Sequence, residues 1–388
     1  MQSPVQVVTL LRPQTRADLL AAAAFTSLVF TATPFLLPAV AEDYDVSLGT
    51  ASLISTAQLA GFVFVSWTVG RVANPSRRLL LLALAAAAAC NAASALMPWF
   101  SGLLVLRSLG GAALAVIAWL GWQEVFGDQD RMGDVAVVGP VMGIAGAPAA
   151  SALADSFGAD AVFVMLALLA AVPPLLPKPA ADLSANAPRK ADRSKPIPAT
   201  RLILLCLGTV TFGGSAVFVF AAALGSTRIG LDPVVVSIAF SANAAVGIPA
   251  ARYRGERPLA GLWLAGTGVM AIVLTTVTVG AIFWAAIVVW GFAFWAGIPG
   301  VFKLLAARSA HPADRAGDAQ SIMAAGRVFG PLLGAAFVEA EALTALGIVA
   351  GGLIITAALL LVAIERRVPA RAPAPAPSQN PSGQRPED

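Results

Sequence analysis

Long apolar runs separated by short polar segments extend along almost the whole chain. The hydrocarbon core of a bilayer is about 30 Å thick, and a helix needs about 20 apolar residues to cross it. The runs predict twelve transmembrane helices, placed at 19–41, 48–70, 79–97, 100–125, 135–154, 159–177, 202–224, 233–251, 258–280, 282–302, 319–338 and 342–364. The sequence therefore predicts an all-α membrane protein.

Two polar, proline-rich segments interrupt this pattern. One separates the sixth and seventh runs and the other follows the twelfth. Such compositions are typical of solvated linkers and disordered tails. We therefore predict five parts: a cytoplasmic N-terminal tail at 1–18, a six-helix bundle at 19–177, a cytoplasmic linker at 178–200, a second six-helix bundle at 201–364 and a disordered cytoplasmic tail at 365–388.

The Lys and Arg residues are distributed unevenly between the connections. If both termini are cytoplasmic, 22 of the 25 basic residues fall in cytoplasmic segments, Arg228 falls outside, and Arg107 and Arg327 lie within spans. Basic residues accumulate in the cytoplasmic loops of membrane proteins. The distribution therefore predicts a multi-pass protein of the cytoplasmic (inner) membrane, with both termini in the cytoplasm.

The composition excludes several classes of protein. Charged residues make up only 12% of the chain and apolar residues 58%, whereas soluble domains contain roughly 25% charged residues. The chain has a single histidine, and its two cysteines lie in apolar runs. Metal sites built from histidines and catalytic triads are therefore not expected. We expect no metal, no cofactor and no enzyme activity. The dispersed basic residues do not predict nucleic-acid binding.

A short motif occurs once in each predicted bundle. Asp130-Arg131-Met132-Gly133-Asp134 precedes the fifth span, and Asp314-Arg315-Ala316-Gly317-Asp318 precedes the eleventh, 184 residues later. At the same offset, Gly146 aligns with Gly330. Parallel repeats of six spans are typical of transporters that rock one half against the other.

The connection after the second span, Gly70-Arg71-Val72-Ala73-Asn74-Pro75-Ser76-Arg77-Arg78, resembles the signature loop of the major facilitator superfamily. The family has an Asp where this chain has Asn74. The resemblance covers about residues 17–366 and implies two six-helix bundles around a central cavity. It also implies that this loop takes part in gating on the cytoplasmic side.

The fifth span resembles the Gly-Pro signature that exporters of the superfamily carry, through Gly139-Pro140 and Gly146-Ala147-Pro148. Small residues let helices approach closely and prolines permit bending. The alternative is ordinary helix packing. The predicted gating residues are Gly70, Asn74, Arg77, Arg78, Asp130, Arg131, Asp314, Arg315, Gly139, Pro140, Gly330 and Pro331.

Two arginines lie inside predicted spans. Arg107 is about 10 Å from the outer end of the fourth span at 1.5 Å per residue, and Arg327 is near the middle of the eleventh. A guanidinium at this depth must face protein or water, because hydrocarbon costs it at least about 2.5 kcal/mol. Each arginine either bonds to carbonyls and small polar groups or binds an anionic substrate. We favour substrate binding slightly for Arg327.

Further substrate-binding candidates are the polar residues Gln58 and Asn243 and the aromatic residues Trp122, Trp290 and Phe294. Trp290 and Phe294 are four residues apart and share a helix face. Aromatic walls suit a flat or amphipathic organic ligand. The alternatives are hydrogen bonds between helices for the polar residues and packing for the aromatic ones.

The energy source for transport is inferred by excluding ATP hydrolysis. The chain has no phosphate-binding loop of the type found in ATPases, which leaves secondary transport. Protons are a candidate coupling ion, with Glu124 near the end of the fourth span as the candidate carboxylate. We predict a monomeric exporter of a small organic solute, anionic or amphipathic. The alternatives are an uptake permease, an uncoupled facilitator and a membrane sensor without transport.

Overall fold

The computed structural model describes residues 15–125, 129–176, 196–252, 258–309 and 312–367. These residues form helices and connecting turns and contain no β-strand. The helices are α1 (Ala17–Asp43), α2 (Leu48–Ala51), α3 (Leu53–Val72), α4 (Arg77–Ser94), α5 (Phe100–Val125), α6 (Gln129–Leu169), α7 (Val172–Leu175), α8 (Pro198–Ala223), α9 (Pro233–Arg252), α10 (Ala260–Thr276), α11 (Gly280–Ala307), α12 (Pro312–Glu339) and α13 (Leu343–Arg367).

Ten of the described helical segments are long and apolar enough to cross a membrane, and the apolar helix α10 is slightly shorter. One of the ten, Val137–Leu175, contains two predicted spans, because Gly158 interrupts α6 with φ 77° and ψ −178°. With α10 included and this segment counted as two, the described residues account for all twelve predicted spans. The predicted all-α membrane fold is confirmed.

The two halves of the chain share one packing arrangement. In the first half α1 packs against α6, and α3 packs against α5. In the second half α8 packs against α12, and α9 packs against α11. Each half thus pairs its first span with its fifth and its second with its fourth, as two copies of one motif should.

The helices approach closely where the sequence places glycine. A Cβ atom on Gly111 of α5 would overlap the carbonyl oxygen of Gln58 on α3. A Cβ atom on Gly330 of α12 would overlap the carbonyl oxygen of Phe212 on α8. Gly330, a predicted gating residue, therefore has a close-packing role within its own half.

Replacing Gly111 with valine should destabilise the first half. The new side chain overlaps the backbone of α3, so the helices must separate, and overpacking of this kind costs about 1–3 kcal/mol or more. We expect a lower midpoint of thermal unfolding in detergent. Gly352→Val is the matched control, because a Cβ atom there meets nothing within 4 Å. An unchanged midpoint in Gly111→Val would contradict the close contact.

We call the end of the bundle that carries residues 43–48 and 339–343 the distal face, and the end that carries Thr15 and Arg367 the proximal face. The halves meet on the distal side through α6 with α9 and α12 with α2. The Ser151 hydroxyl donates to the carbonyl oxygen of Pro233 (2.9 Å). The Ser47 hydroxyl donates to the Glu339 carboxylate. The structure is therefore closed towards the distal face.

The Ser47–Glu339 contact should favour the distal-closed state. Glu339→Ala removes a hydrogen bond to a charged acceptor. Such bonds contribute about 1–3 kcal/mol when shielded and less when exposed. The population of the distal-open state should therefore rise a few-fold. Spin labels at Asp45→Cys and Asp232→Cys, one in each half, should report longer distances by pulsed electron resonance. Glu341→Ala, two residues away, is the control. Identical distance distributions for Glu339→Ala and the parent protein would contradict this role.

Candidate functional site

Arg327 lies near the middle of α12 with an exposed side chain, although the neighbouring Gly326 and Val328 are buried. No described carboxylate forms an ion pair with it. A mid-span guanidinium is too costly to place in hydrocarbon. We therefore expect its exposed guanidinium to face water rather than hydrocarbon.

Arg107 has the opposite environment, with only 2% of its surface exposed. One guanidinium nitrogen donates to the Asn91 side-chain oxygen (2.8 Å), and another donates to the Gln58 side-chain oxygen. The guanidinium carbon lies 5.3 Å from the centre of the Phe163 ring. Arg107 thus ties α3, α4, α5 and α6 together through neutral partners. Gln58, a predicted substrate ligand, is buried and bonded to Arg107.

Four aromatic rings cross from one half of the protein to the other. Phe35 of α1 lies 5.1 Å from Phe240 of α9, Phe240 lies 5.0 Å from Phe218 of α8, and Phe218 lies 5.5 Å from Trp290 of α11. We call these residues the aromatic layer. Phe35 and Phe240 are about 10–12 Å from the distal ends of their helices at 1.5 Å per residue. The layer therefore joins the two halves on the distal side through the Phe35–Phe240 contact.

The other residues predicted on the second half lie close to this layer. Phe294 is one helical turn from Trp290, is partly buried, and contacts Trp295 edge to face at 5.6 Å. The Asn243 side-chain amide donates to the carbonyl oxygen of Ile287 (2.6 Å), which links α9 to α11. Trp290 and Asn243 therefore both contribute to packing here, and Phe294 lies on the proximal side of the layer.

Trp122 and Glu124 lie near the proximal end of α5. The Trp122 side chain is 41% exposed, and Glu124 is half-buried. Both lie several turns from the aromatic layer. Their position fits the entrance to a central space from the proximal face, where an exposed ring and a carboxylate are accessible to water.

A cavity of about 430 Å³ lies on the distal side of the aromatic layer. Phe35 lines its floor, and the carboxylates of Glu42, Asp43 and Asp155 line its walls. Tyr44 next to it donates to the carbonyl oxygen of Met97 (2.6 Å), and burial, with the nearby Asp160 and Asp43, raises the pKa of its phenol. The distal entrance is thus strongly acidic, whereas the Arg327 region is cationic.

The predicted gating residues fall into several environments. Asn74 and Arg78 are exposed and Arg77 is half-buried at the start of α4, where the Ser76 hydroxyl accepts from the Leu79 N–H (3.2 Å). Arg315 is 2% exposed and pairs with Asp318 at 2.6 Å. Pro140 and Pro331 are buried, and Gly139 faces Ser27. Four predicted gating residues lie outside what the structure describes, either in their surroundings (Gly70) or in their side chains (Asp130, Arg131 and Asp314).

Several of these contacts were not predicted from the sequence. Asn91 and Phe163 complete the surroundings of Arg107, and Ser47 and Glu339 join the halves. Phe35, Phe218 and Phe240 complete the aromatic layer. Asn91 carried a detectable signal, because an amide inside an apolar span needs a partner. The phenylalanines carried none, because aromatic residues are common throughout membrane helices.

A protein-family model described as Major Facilitator Superfamily matches residues 19–327. Among solved structures, the chain is similar to the human organic anion transporter MFSD10 (TETRAN), with TM-score 0.63, 16% identity, and coverage of 93% of this chain and 100% of that one. It is also similar to a bacterial homolog of the human lysosomal transporter Spinster in an inward-facing and occupied conformation, with TM-score 0.67, 14% identity, and coverage of 96% and 100%.

The nucleoside transporter NupG, solved as a point mutant, has TM-score 0.66 and 12% identity, with 89% of this chain and 98% of that chain covered. The comparison with curated proteins finds no match. At these identities the structural likeness establishes the fold, and the family model covers most of the sequence. The chain is a multi-pass membrane protein that belongs to the Major Facilitator Superfamily.

Proposed function

We propose that the protein is a secondary transporter that exports an amphipathic organic anion across the cytoplasmic membrane by alternating access. It works as a monomer, with the proximal face and both termini in the cytoplasm. The observation that carries this proposal is Arg327, an exposed guanidinium at mid-span with no described carboxylate partner. Its natural partner is a substrate that brings its own negative charge.

The chemistry of Arg327 favours an anion with two or more oxygens. A guanidinium presents a planar fork of N–H groups that matches a carboxylate, sulfonate or phosphate. No Asp or Glu occupies the middle of a predicted span. A substrate anion therefore meets no competing carboxylate at this depth.

The aromatic layer supports an amphipathic substrate over a small inorganic anion. Phe218 is only partly buried, and Phe294 lies one turn to the proximal side of Trp290. These rings offer an apolar surface for the organic part of the substrate. The cationic group and the aromatic surface together fit a molecule with one charged end and one apolar end.

Alternating access requires the distal contacts to break. The Ser151–Pro233 and Ser47–Glu339 hydrogen bonds and the Phe35–Phe240 contact all join the two halves. Rocking the halves apart on this side opens the space between them to the acidic distal cavity. Protons are the proposed coupling ion, with Glu124 as the candidate carboxylate.

A binding screen tests the proposed substrate class. Thermal unfolding of the purified protein is followed with matched pairs of aromatic compounds, one carrying a carboxylate or sulfonate and the other a neutral amide. A ligand of the folded state raises the unfolding temperature by mass action. We expect shifts with anionic members and their loss in Arg327→Gln. Shifts of equal size with neutral members would contradict the proposal.

The direction of transport is tested separately in proteoliposomes. Flux of an anion found in the screen is measured under proton gradients of either sign. An exporter that uses protons moves the anion against its gradient only when protons return in the opposite direction. If the anion accumulates on the side to which protons flow, the protein is an uptake transporter instead. If the flux of the anion does not depend on the proton gradient, transport is coupled to another ion or is uncoupled.

A further inference from the structure

A groove of about 500 Å³ lies on the distal face, away from the path between the halves. It is formed where the end of α8 meets the start of α13. Its lining combines the basic Arg228, the acidic Glu341, the hydroxyl of Thr344 and the apolar side chains of Ala342, Leu343, Ala345 and Ile348. This combination calls for a ligand that carries both charges and an apolar part.

Arg228 ends a π-helical turn, Leu224–Arg228, that follows α8. Such turns are rare and occur frequently at functional sites. One guanidinium nitrogen donates to the carbonyl oxygen of Thr275 in α10, which fixes the side chain. The side chain is otherwise exposed, and no described residue accepts from its remaining N–H groups. Arg228 is also the one basic residue that the charge distribution places outside the cell.

Glu341 faces the same groove from the turn between α12 and α13. Its backbone has φ 54°, and the turn is closed by hydrogen bonds from Glu341 N–H to Val338 (3.0 Å) and from Ala342 N–H to Phe337 (2.9 Å). The Glu341 side chain is exposed and forms no described ion pair with Arg228. The groove therefore holds a cation and an anion that are both available to a ligand.

The groove continues onto an apolar stripe of α13. Ile348 is 58% exposed, and Val349 and Leu353 are 39% and 37% exposed. A Cβ atom on Gly352 would meet nothing within 4 Å, which leaves a notch one turn below Ile348. In a membrane-spanning helix, an exposed apolar stripe faces the acyl chains. The polar groove and the apolar stripe thus meet at the level of the outer headgroups.

We propose that this groove binds an outer-leaflet phospholipid with a primary ammonium headgroup, of the phosphatidylethanolamine class. Its phosphate accepts from Arg228, its ammonium donates to Glu341, and an acyl chain follows Ile348 and the Gly352 notch. A choline headgroup has no N–H to donate to Glu341, and a glycerol headgroup has no positive charge. The bound lipid joins the ends of α8, α10 and α13. This site is independent of the proposed transport activity, and its place in the outer leaflet rests on the proposed orientation with the proximal face in the cytoplasm.

The test uses the full chain, purified, stripped of lipid and reconstituted in nanodiscs that contain equal amounts of ethanolamine, choline and glycerol phospholipids. Lipids that remain bound after extraction into detergent are counted by native mass spectrometry. We expect the ethanolamine lipid to be retained preferentially. Arg228→Gln should reduce its retention by about tenfold, because charge-assisted hydrogen bonds to phosphate are lost. Arg78→Gln, an exposed arginine on the proximal side, should retain it fully.

Glu341→Gln provides a second variant at the other end of the headgroup. It should remove the preference for ethanolamine over choline while leaving the two lipids bound about equally. Equal retention of all three lipids by the parent protein would overturn the proposal, as would full retention by Arg228→Gln. Displacement of the lipid by millimolar inorganic phosphate would also overturn it, because that result identifies a site for a free anion.

Discussion

Arg327→Gln should abolish transport while leaving a folded protein. The change removes the positive charge that the proposed site offers an anion, and the shorter glutamine side chain is still polar. Losing charge-assisted hydrogen bonds to a carboxylate or phosphate costs about 1.5–3 kcal/mol, and a transported substrate depends on them throughout the cycle. We expect flux in proteoliposomes to fall at least about tenfold, with an unchanged elution volume and helix content.

Arg327→Lys provides the graded control. It keeps the charge and loses the planar fork, so intermediate flux is expected for a substrate that binds through two oxygens. Arg366→Gln, an exposed arginine at the proximal end of α13, should transport normally. Unchanged flux in Arg327→Gln would contradict the proposed site. Loss of folded Arg327→Gln would show that this arginine stabilises the fold instead.

Arg107→Gln should have the opposite effect and prevent accumulation of folded protein. The guanidinium satisfies the side-chain oxygens of both Asn91 and Gln58 in a buried setting. A shorter, neutral amide leaves at least one of these acceptors unsatisfied, and each costs about 1–3 kcal/mol. We expect a loss of at least about 2 kcal/mol, which is a large fraction of the stability of a typical protein.

The comparison between the two arginines separates their roles. Yield after detergent extraction and thermal unfolding are measured for Arg107→Gln and Arg327→Gln side by side. A double variant, Arg107→Leu with Gln58→Leu, removes the donor and one acceptor together and should recover part of the stability. Wild-type stability in Arg107→Gln, accompanied by loss of transport, would reverse the assignment and make Arg107 the substrate ligand.

The hydrophobic pattern predicted the helices well because each span must satisfy its backbone internally and face lipid on one side. The sequence predicted the turn between the fifth and sixth spans at 155–158, and the structure breaks α6 within that range. A single residue, Gly158 at φ 77°, makes the break, and the Asp43 carboxylate accepts from the Ala159 N–H (3.3 Å) to cap the next segment. Such a short break leaves little polar sequence, so its position depends on a contact with α1.

The sequence also predicted that both membrane arginines avoid lipid, but it left their partners open. Gln58, Asn91 and Phe163 lie on three different helices, and only the packing of α3, α4 and α6 around α5 brings them to Arg107. Arg327 differs because its side chain is exposed and has no described ion-pair partner. The distinction between a structural and a functional arginine therefore depended on tertiary contacts, which periodicity does not encode.

The aromatic layer illustrates the same limit. Trp290 stood out in the sequence as a candidate cavity wall, whereas Phe35, Phe218 and Phe240 had no distinguishing neighbours. They come from α1, α8 and α9. Phe218 meets Phe240 within the second half, and Phe35 reaches Phe240 only because the two halves face each other. Pairing across pseudo-symmetric halves is a property of the fold as a whole.

The proposed transport path requires that Arg327 lines an aqueous space within the membrane region. Arg327→Cys, in a Cys90→Ala, Cys206→Ala background, is treated with a membrane-impermeant maleimide in right-side-out and inside-out vesicles. A thiol reacts as its thiolate, which forms only in a hydrated setting. We predict labelling from the proximal, cytoplasmic side at a rate at least about tenfold above that of Leu353→Cys on the lipid-facing stripe. If Arg327→Cys is labelled no faster than Leu353→Cys from either side, Arg327 does not line an aqueous space and the proposed transport path is wrong.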